Sequence, residues 1–429
     1  MLSALYFVAI AALTLLSLTR RRILVVCGFY SFYALLTILD ENNVPQLGPI
    51  TIYRALYIVF LISLIARLVQ DRDFLSHMRL LPRVSYLSLL AFLLASSLYA
   101  HSSDIFLFEN PGGLWSRVMV LGLFWISAAH VHEEIDVKLI AATSAAVSFA
   151  LAIWIIWNAA QLNFEAYRGG IEVNQNYVSI FVLAGLMPLT YVIFVARSIF
   201  FKILTFLILF CSILASLILA SRGMLIAFVL GAIVMVGGFG RKLRPRTVLV
   251  VGLLLVSVLV IAMFLPGGDA LVARTQSESI GTLNDRTEIW TLATRYFADS
   301  GIPRMIFGQG LSSGAHVIMP VMPMYANYHS EYLRWLMDQG VSGLLAFLVF
   351  LYFVSRHILQ CTSPFKPLMI GWMTFLLISG LTSTISDAHL FWILFGVMVA
   401  AGSLENNSWH PSQLAFKSSP PTPLPIVTV

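Results

Sequence analysis

The 429-residue chain is 59% hydrophobic and 11% charged, with a net charge of +6 and a mean hydropathy of +0.88. A soluble protein carries roughly twice that charged fraction, so a soluble globular enzyme is excluded. The basic excess suits connections that face anionic lipid headgroups, not a nucleic-acid surface.

Apolar runs of about 17 to 25 residues recur along the whole chain, each long enough to cross ~30 Å of hydrocarbon as a helix. They fall at roughly 2–19, 23–39, 50–69, 84–100, 115–131, 139–158, 175–196, 203–220, 223–240, 247–265, 331–355, 367–385 and 388–403. The expected fold is therefore all-α: a polytopic bundle of 12–13 transmembrane helices forming one domain over residues 1–403. Twelve spans would follow if the first lay along the surface, or if 203–220 and 223–240 formed a broken pair. The first run lacks a basic leader and a small-residue cleavage site, and reads as a span and not a removable signal. Cys27, Cys211 and Cys361 predict no disulfide framework. The Pro- and Ser-rich stretch 404–429 reads as a disordered cytoplasmic tail.

Alternate connections fix the sides. Sixteen of the 26 Lys and Arg residues fall in six of them: Arg20 to Arg22, the 67–83 stretch, Lys138, Arg197 with Lys202, 241–246, and Arg356 with Lys366. By the positive-inside rule that face is cytoplasmic. Arg168, Arg222, Arg274, Arg286, Arg295 and Arg304 break the pattern and fall on the other face. Topology gives them no reason to be there, so they point to an anionic ligand. Arg54 and Arg117 lie just inside the same ends of their spans, and Arg168-Gly169-Gly170 leads into the amide-rich Asn174-Gln175-Asn176. No Asp or Glu falls in the middle of a span, which disfavours an ion-coupled transporter.

The longest external segment, 266–330, is expected to be a periplasmic catalytic loop containing helices. Asp285 and Glu288 have capping-box spacing, and Ile289, Leu292, Ala293, Tyr296 and Phe297 form an apolar stripe that predicts a helix. Arg286 stands in its first turn beside Trp290, where free N–H groups and a guanidinium would together hold phosphate. Pairing of Arg286 with Asp285 or Glu288 is the plainer alternative. Gly308-Gln309-Gly310 makes a turn that admits close backbone approach. The loop ends in Tyr328-His329-Ser330-Glu331, where His329 is placed for proton transfer. His316 and His101 compete for that role. Around Ser221-Arg222-Gly223, snorkelling of Arg222 to headgroups competes with ligand binding.

These pieces resemble, in order, the O-antigen ligase and polymerase superfamily of bacterial envelope glycosyltransferases. The resemblance runs from about Gly170 to Phe347 and rests on the Asn174/Asn176 segment, Ser221-Arg222-Gly223, Asp285 to Trp290 with Gly308-Gln309-Gly310, and His329. His329, Ser330, nine residues, Gly340, two residues and Gly343 match a ligase-type pattern in which many members have Asn where Ser330 stands. The resemblance implies an inner-membrane enzyme without cofactor or metal. It would transfer a glycan from undecaprenyl pyrophosphate to a lipid A-core sugar in lipopolysaccharide biosynthesis, with inversion. His329, Arg286 and Arg222 would be catalytic. Arg168, Asn174, Asn176, Arg54, Arg117, Trp290, Gly308 and Gly310 would bind substrate. The implied partners are that donor, that acceptor and membrane lipids, with no nucleic acid.

A polymerase that joins lipid-linked repeat units is the nearest alternative. Such enzymes often carry Arg-x10-Gly, but the residues eleven on from Arg168, Arg222, Arg286, Arg295 and Arg304 are Ser179, Ile233, Phe297, Ile306 and Ala315. A lipid-linked oligosaccharide transporter is a more distant alternative, since it needs no long external loop with a poised histidine.

Overall fold

The structure is a computed structural model that describes residues 10–15, 23–36, 46–47, 50–70, 114–161, 175–219, 221–240, 286–310, 313–322, 327–384 and 389–407. The expected spans at 84–100 and 247–265 lie outside the described residues, as do Arg168, Asn174, Arg274, Asp285 and His101.

The protein is a polytopic helical membrane protein. In chain order its helices are α1 (Ile23–Leu36), α2 (Ile52–Gln70), α3 (Leu114–His130), α4 (Glu134–Gln161), α5 (Gln175–Val195), α6 (Ile199–Ile218), α7 (Arg222–Gly238), α8 (Arg286–Asp299), α9 (Ile302–Phe307), α10 (Gly314–Val317), α11 (Glu331–Gln360), α12 (Lys366–Thr382) and α13 (His389–Asn407). One two-residue antiparallel ladder, Gln46–Leu47 with Ile50–Thr51, precedes α2. Among the described residues four helices, α4, α5, α6 and α11, combine the length and the apolarity to cross a bilayer, and α1, α2, α7, α12 and α13 are shorter apolar helices. The last helix runs to Asn407, so residues 404–407, expected in the tail, are helical, and 408–429 lie outside the described residues. The Leu-Glu-Asn-Asn end simply continues the apolar helix by one more turn.

Close backbone approach at small residues holds the bundle, as is usual where lipid leaves no hydrophobic gain between helices. A Cβ at Gly223 would lie 2.5 Å from Thr382 Oγ1, one at Gly231 2.9 Å from the Gly371 carbonyl, and one at Gly238 3.3 Å from Pro367. These contacts run α7 antiparallel to α12. The Trp372 indole donates to the Ala184 carbonyl at 2.9 Å and the Tyr191 hydroxyl to the Pro364 carbonyl at 2.9 Å, which runs α5 antiparallel to α12. Ser148 donates to the Val182 carbonyl at 2.6 Å and approaches Ser212 at 3.3 Å, joining α4, α5 and α6. Helix α7 runs beside α12, and Ser221 lies in a tight link between α6 and α7.

This packing gives the bundle two unlike ends. The starts of α5, α7 and α11 share one end with the finish of α12. His389, at the start of α13, joins them through Tyr33 (ring centroids 3.8 Å apart), which meets Phe181 near the start of α5 (5.9 Å), and Tyr57 near the start of α2 lies 5.5 Å from His389. At the opposite end Lys138 approaches the Phe365 ring at 6.0 Å, next to Lys366 and close to the Arg197–Lys202 connection.

Candidate active site

The segment before α11 is folded onto the first end of the bundle by α8, α9 and α10. Ile289 and Ala293 of α8 are buried with Val317, Ile318, Tyr328 and Met337, and Trp290, Phe297, Met322 and Leu333 pack around them. The expected stripe is thus rotated slightly. Trp290 belongs to the inner face and Tyr296 is exposed.

His329 is held from three directions. The Trp290 indole donates to the Tyr328 carbonyl at 2.9 Å. The His329 amide donates to Asn327 Oδ1 at 3.0 Å, and Asn327 Nδ2 donates to Thr384 Oγ1 at 2.7 Å. Ser313 donates its hydroxyl to Asp338 Oδ1 at 2.7 Å and its amide to the same oxygen at 3.0 Å. With that proton committed, the Tyr328 hydroxyl is the donor in its 2.8 Å contact with Ser313 Oγ. Arg334 Nε donates to Asp338 Oδ2 at 3.3 Å. Burial, and then the Asp338 charge, raise the Tyr328 pKa, so the phenol keeps its proton and its role as donor. None of Ser313, Tyr328 and Asp338 was singled out as functional from the sequence. The available signal was Arg334 and Asp338 one turn apart at the head of an apolar helix.

The constraint is visible in the backbone. His329 has φ 50°, the one non-glycine residue with positive φ among the described residues. A left-handed residue costs about 1–2 kcal/mol and persists only where its surroundings enforce it. Ser330 then caps α11, its hydroxyl accepting from the Leu333 amide at 3.4 Å.

Arg286 opens α8 half-buried and forms no ion pair with Glu288 or any other carboxylate among the described residues. Burial lowers its pKa. The His329 pKa is also lowered, first by burial and then by the positive charge of Arg286. Both side chains are half-buried, and the charge of Arg286 bears on His329. One is a fixed cation and the other an imidazole kept neutral at ordinary pH, an arrangement suited to an anion beside a hydroxyl.

The remaining expected site residues divide. Arg222 begins α7, and its neighbour Gly223 meets Thr382, two residues before the Thr384 that holds Asn327. The backbone of Arg222 therefore stands at the His329 end. Asn176 in the first turn of α5 and Arg54 in the first turn of α2 begin helices at that same end. Arg117 lies in the first turn of α3.

Gly308 and Gly310 serve packing. Both are buried, with φ 89° and 98°, and a Cβ at Gly308 would lie 2.4 Å from the Asp338 carbonyl. The Gln309 amide donates to the Met337 carbonyl at 2.7 Å and the Gly310 amide to the Asp338 carbonyl at 3.0 Å. The close approach of α11 requires glycine at 308. Trp290 likewise spends its indole N–H on Tyr328.

Residues 204–348 match the family model for O-antigen ligase. That segment is similar to an O-antigen ligase domain. Over that segment the chain is similar to the O-antigen ligase and polymerase superfamily, whose members are membrane enzymes of the glycosyltransferase kind. The matched segment contains Arg222, Arg286, His329, Gly340 and Gly343, whereas Arg54, Arg117, Arg168, Asn174 and Asn176 precede it. No curated protein matches the chain.

Proposed function

We propose that this protein is an O-antigen ligase of the bacterial inner membrane. It transfers a glycan from undecaprenyl pyrophosphate to a sugar hydroxyl of the lipid A core at the periplasmic face. The observation that carries this reading is the half-buried Arg286, without a carboxylate partner among the described residues, acting on a His329 whose backbone is locked in the left-handed region.

The chemistry follows from those two groups. The acceptor hydroxyl attacks the anomeric carbon of the donor, the bond to the lipid pyrophosphate breaks, and the configuration inverts. Neutral His329 takes the hydroxyl proton as the new glycosidic bond forms. Arg286, with Arg222 from the start of α7, offsets the charge that builds on the departing pyrophosphate, in a site dry enough for that charge to matter. Pyrophosphate is already a good leaving group, so the reaction proceeds without a metal ion. Arg54, Arg117, Arg168, Asn174 and Asn176 form the approach for the donor headgroup and its first sugars. The bundle over residues 1–403 is a single domain, the 266–330 segment its periplasmic catalytic loop, and residues 408–429 a cytoplasmic tail.

The test is the glycan profile of a strain lacking the gene. Rough lipopolysaccharide, with long polymer retained on undecaprenyl pyrophosphate, is the expected result. Lipopolysaccharide capped by one repeat unit would assign the protein as a polymerase, and an unchanged profile would overturn both.

A further inference from the structure

Helix α9 has a face that the catalytic reading does not use. Ile302, Pro303, Ile306 and Phe307 are all exposed, Ile302 at 72%, whereas Arg304 and Met305 are partly covered. At 100° per residue these four positions fill one continuous side of the helix, with Arg304 on its flank. Met319 and Val321, just beyond α10, are exposed as well.

The depth of this face is fixed by its attachment to α11. A Cβ at Gly340 would lie 2.3 Å from the Ile306 carbonyl and 2.6 Å from the Gly308 nitrogen, so α9 ends against residue 340. Gly340 has φ 69° and ψ −168° and kinks α11 there. Beyond the kink, Val341 to Ser355 form an apolar stretch that ends at Arg356 and rises roughly 22 Å, most of the ~30 Å hydrocarbon core. Its exposed residues, Val341, Leu345, Leu348, Val349 and Tyr352, form the lipid-facing side of the span. Gly340 therefore stands in the outer part of the leaflet on the His329 side, and α9 is fastened at the same level.

We propose that α9 is an interfacial helix that beds Ile302, Ile306 and Phe307 into the leaflet on the His329 side of the membrane. A short apolar face continuous in depth with a lipid-facing span is covered by lipid, and the Arg304 stem on its flank reaches headgroup phosphates. Bedding α9 also sets the height of α8 and of the segment around His329, because the Gly308-Gln309-Gly310 turn ties α9 to α11 directly below Asp338. The lipid contact does not depend on which glycan, if any, the protein transfers.

The test uses the full-length protein in liposomes, with Ile302→Cys and Phe307→Cys each labelled with nitrobenzoxadiazole and Arg295→Cys on exposed α8 as the aqueous reference. The parent protein, with Cys27 and Cys361 buried and Cys211 half-buried, sets the background. Labels at 302 and 307 are expected to emit to the blue of the label at 295. They should lose most of their emission to lipids carrying a nitroxide near the headgroup, and be spared by aqueous iodide. Quenching by iodide and not by the lipid nitroxide would place the face in water and overturn the proposal. Protection from both quenchers would show that protein covers the face, and would overturn it equally.

Discussion

At the scale of single residues the proposed mechanism depends on two groups with opposite tasks. If His329 accepts the acceptor proton, His329→Ala should lower kcat by about 10²–10⁴, with little change in KM. Arg286→Ala should cost about 10²–10³ through loss of charge stabilisation at the leaving group. Arg286→Lys should rescue only part of that, since an ammonium lacks the planar fork. Both variants are read by transfer of a lipid-linked glycan in proteoliposomes.

The pH dependence has a definite sign. The His329 pKa is depressed from its ordinary value of 6.5, so the neutral, basic form survives to lower pH than a free imidazole would allow. The acid limb of kcat/KM should fall below pH 6.5 for that reason. A limb at or above that value would remove His329 as the base. The same depression disfavours folding as pH falls through the unfolded value, because the unfolded chain then takes up the proton more readily.

His329 and Arg286 were legible in the sequence because each is an unusual residue beside a recognisable start of a helix. The network beneath them was not. Ser313 and Asp338 are 25 residues apart, and only the folding of α10 onto α11 brings them together.

At the scale of elements, the turn after α9 and the kink in α11 form one joint. Gly340 occupies a backbone conformation open to glycine alone, and any side chain there would strike Ile306. Gly340→Ala should destabilise the protein by about 1–3 kcal/mol from steric overlap, and by a similar amount from backbone strain. A lowered denaturation temperature in detergent is the readout. The ion pair beside the joint offers a graded comparison. Asp338→Ala would leave Arg334 without its carboxylate at a cost of about 3–5 kcal/mol. Tyr328→Phe removes one hydrogen bond and should cost about 1 kcal/mol.

The spacing of Gly308, Gly310, Gly340 and Gly343 was visible in the sequence, but its physical meaning was not. A Gly-x-Gly turn suggests ligand approach as readily as helix approach. The approach of the helix shows only in the Met337 and Asp338 carbonyls, reached by the Gln309 and Gly310 amides.

At the scale of the whole molecule, the apolar runs announced the bundle because each span must satisfy its own backbone in lipid. Boundaries shifted by several residues: α4 begins at Glu134, not 139, and α11 extends to Gln360, not 355. Amphipathic first and last turns carry little hydropathy signal. The segregation of charge survives folding. Lys138, Arg197, Lys202 and Lys366 stand at one end of the bundle, and His329 with Arg286 at the other. Cysteines introduced at Lys202 and Arg295 should therefore be labelled by a membrane-impermeant maleimide from opposite sides. Labelling of both from one side would contradict the topology.

The most direct measurement is transfer in a defined system: purified protein in proteoliposomes, an undecaprenyl-pyrophosphate-linked glycan, a lipid A-core acceptor, and EDTA throughout. The native protein should release undecaprenyl pyrophosphate as glycan appears on the acceptor, while His329→Ala and Arg286→Ala, folded and inserted, should fail to do so. Full transfer by either variant would contradict the assignment of the site. A native protein that moves the intact lipid-linked donor across the bilayer, without cleaving it, would contradict the enzyme itself.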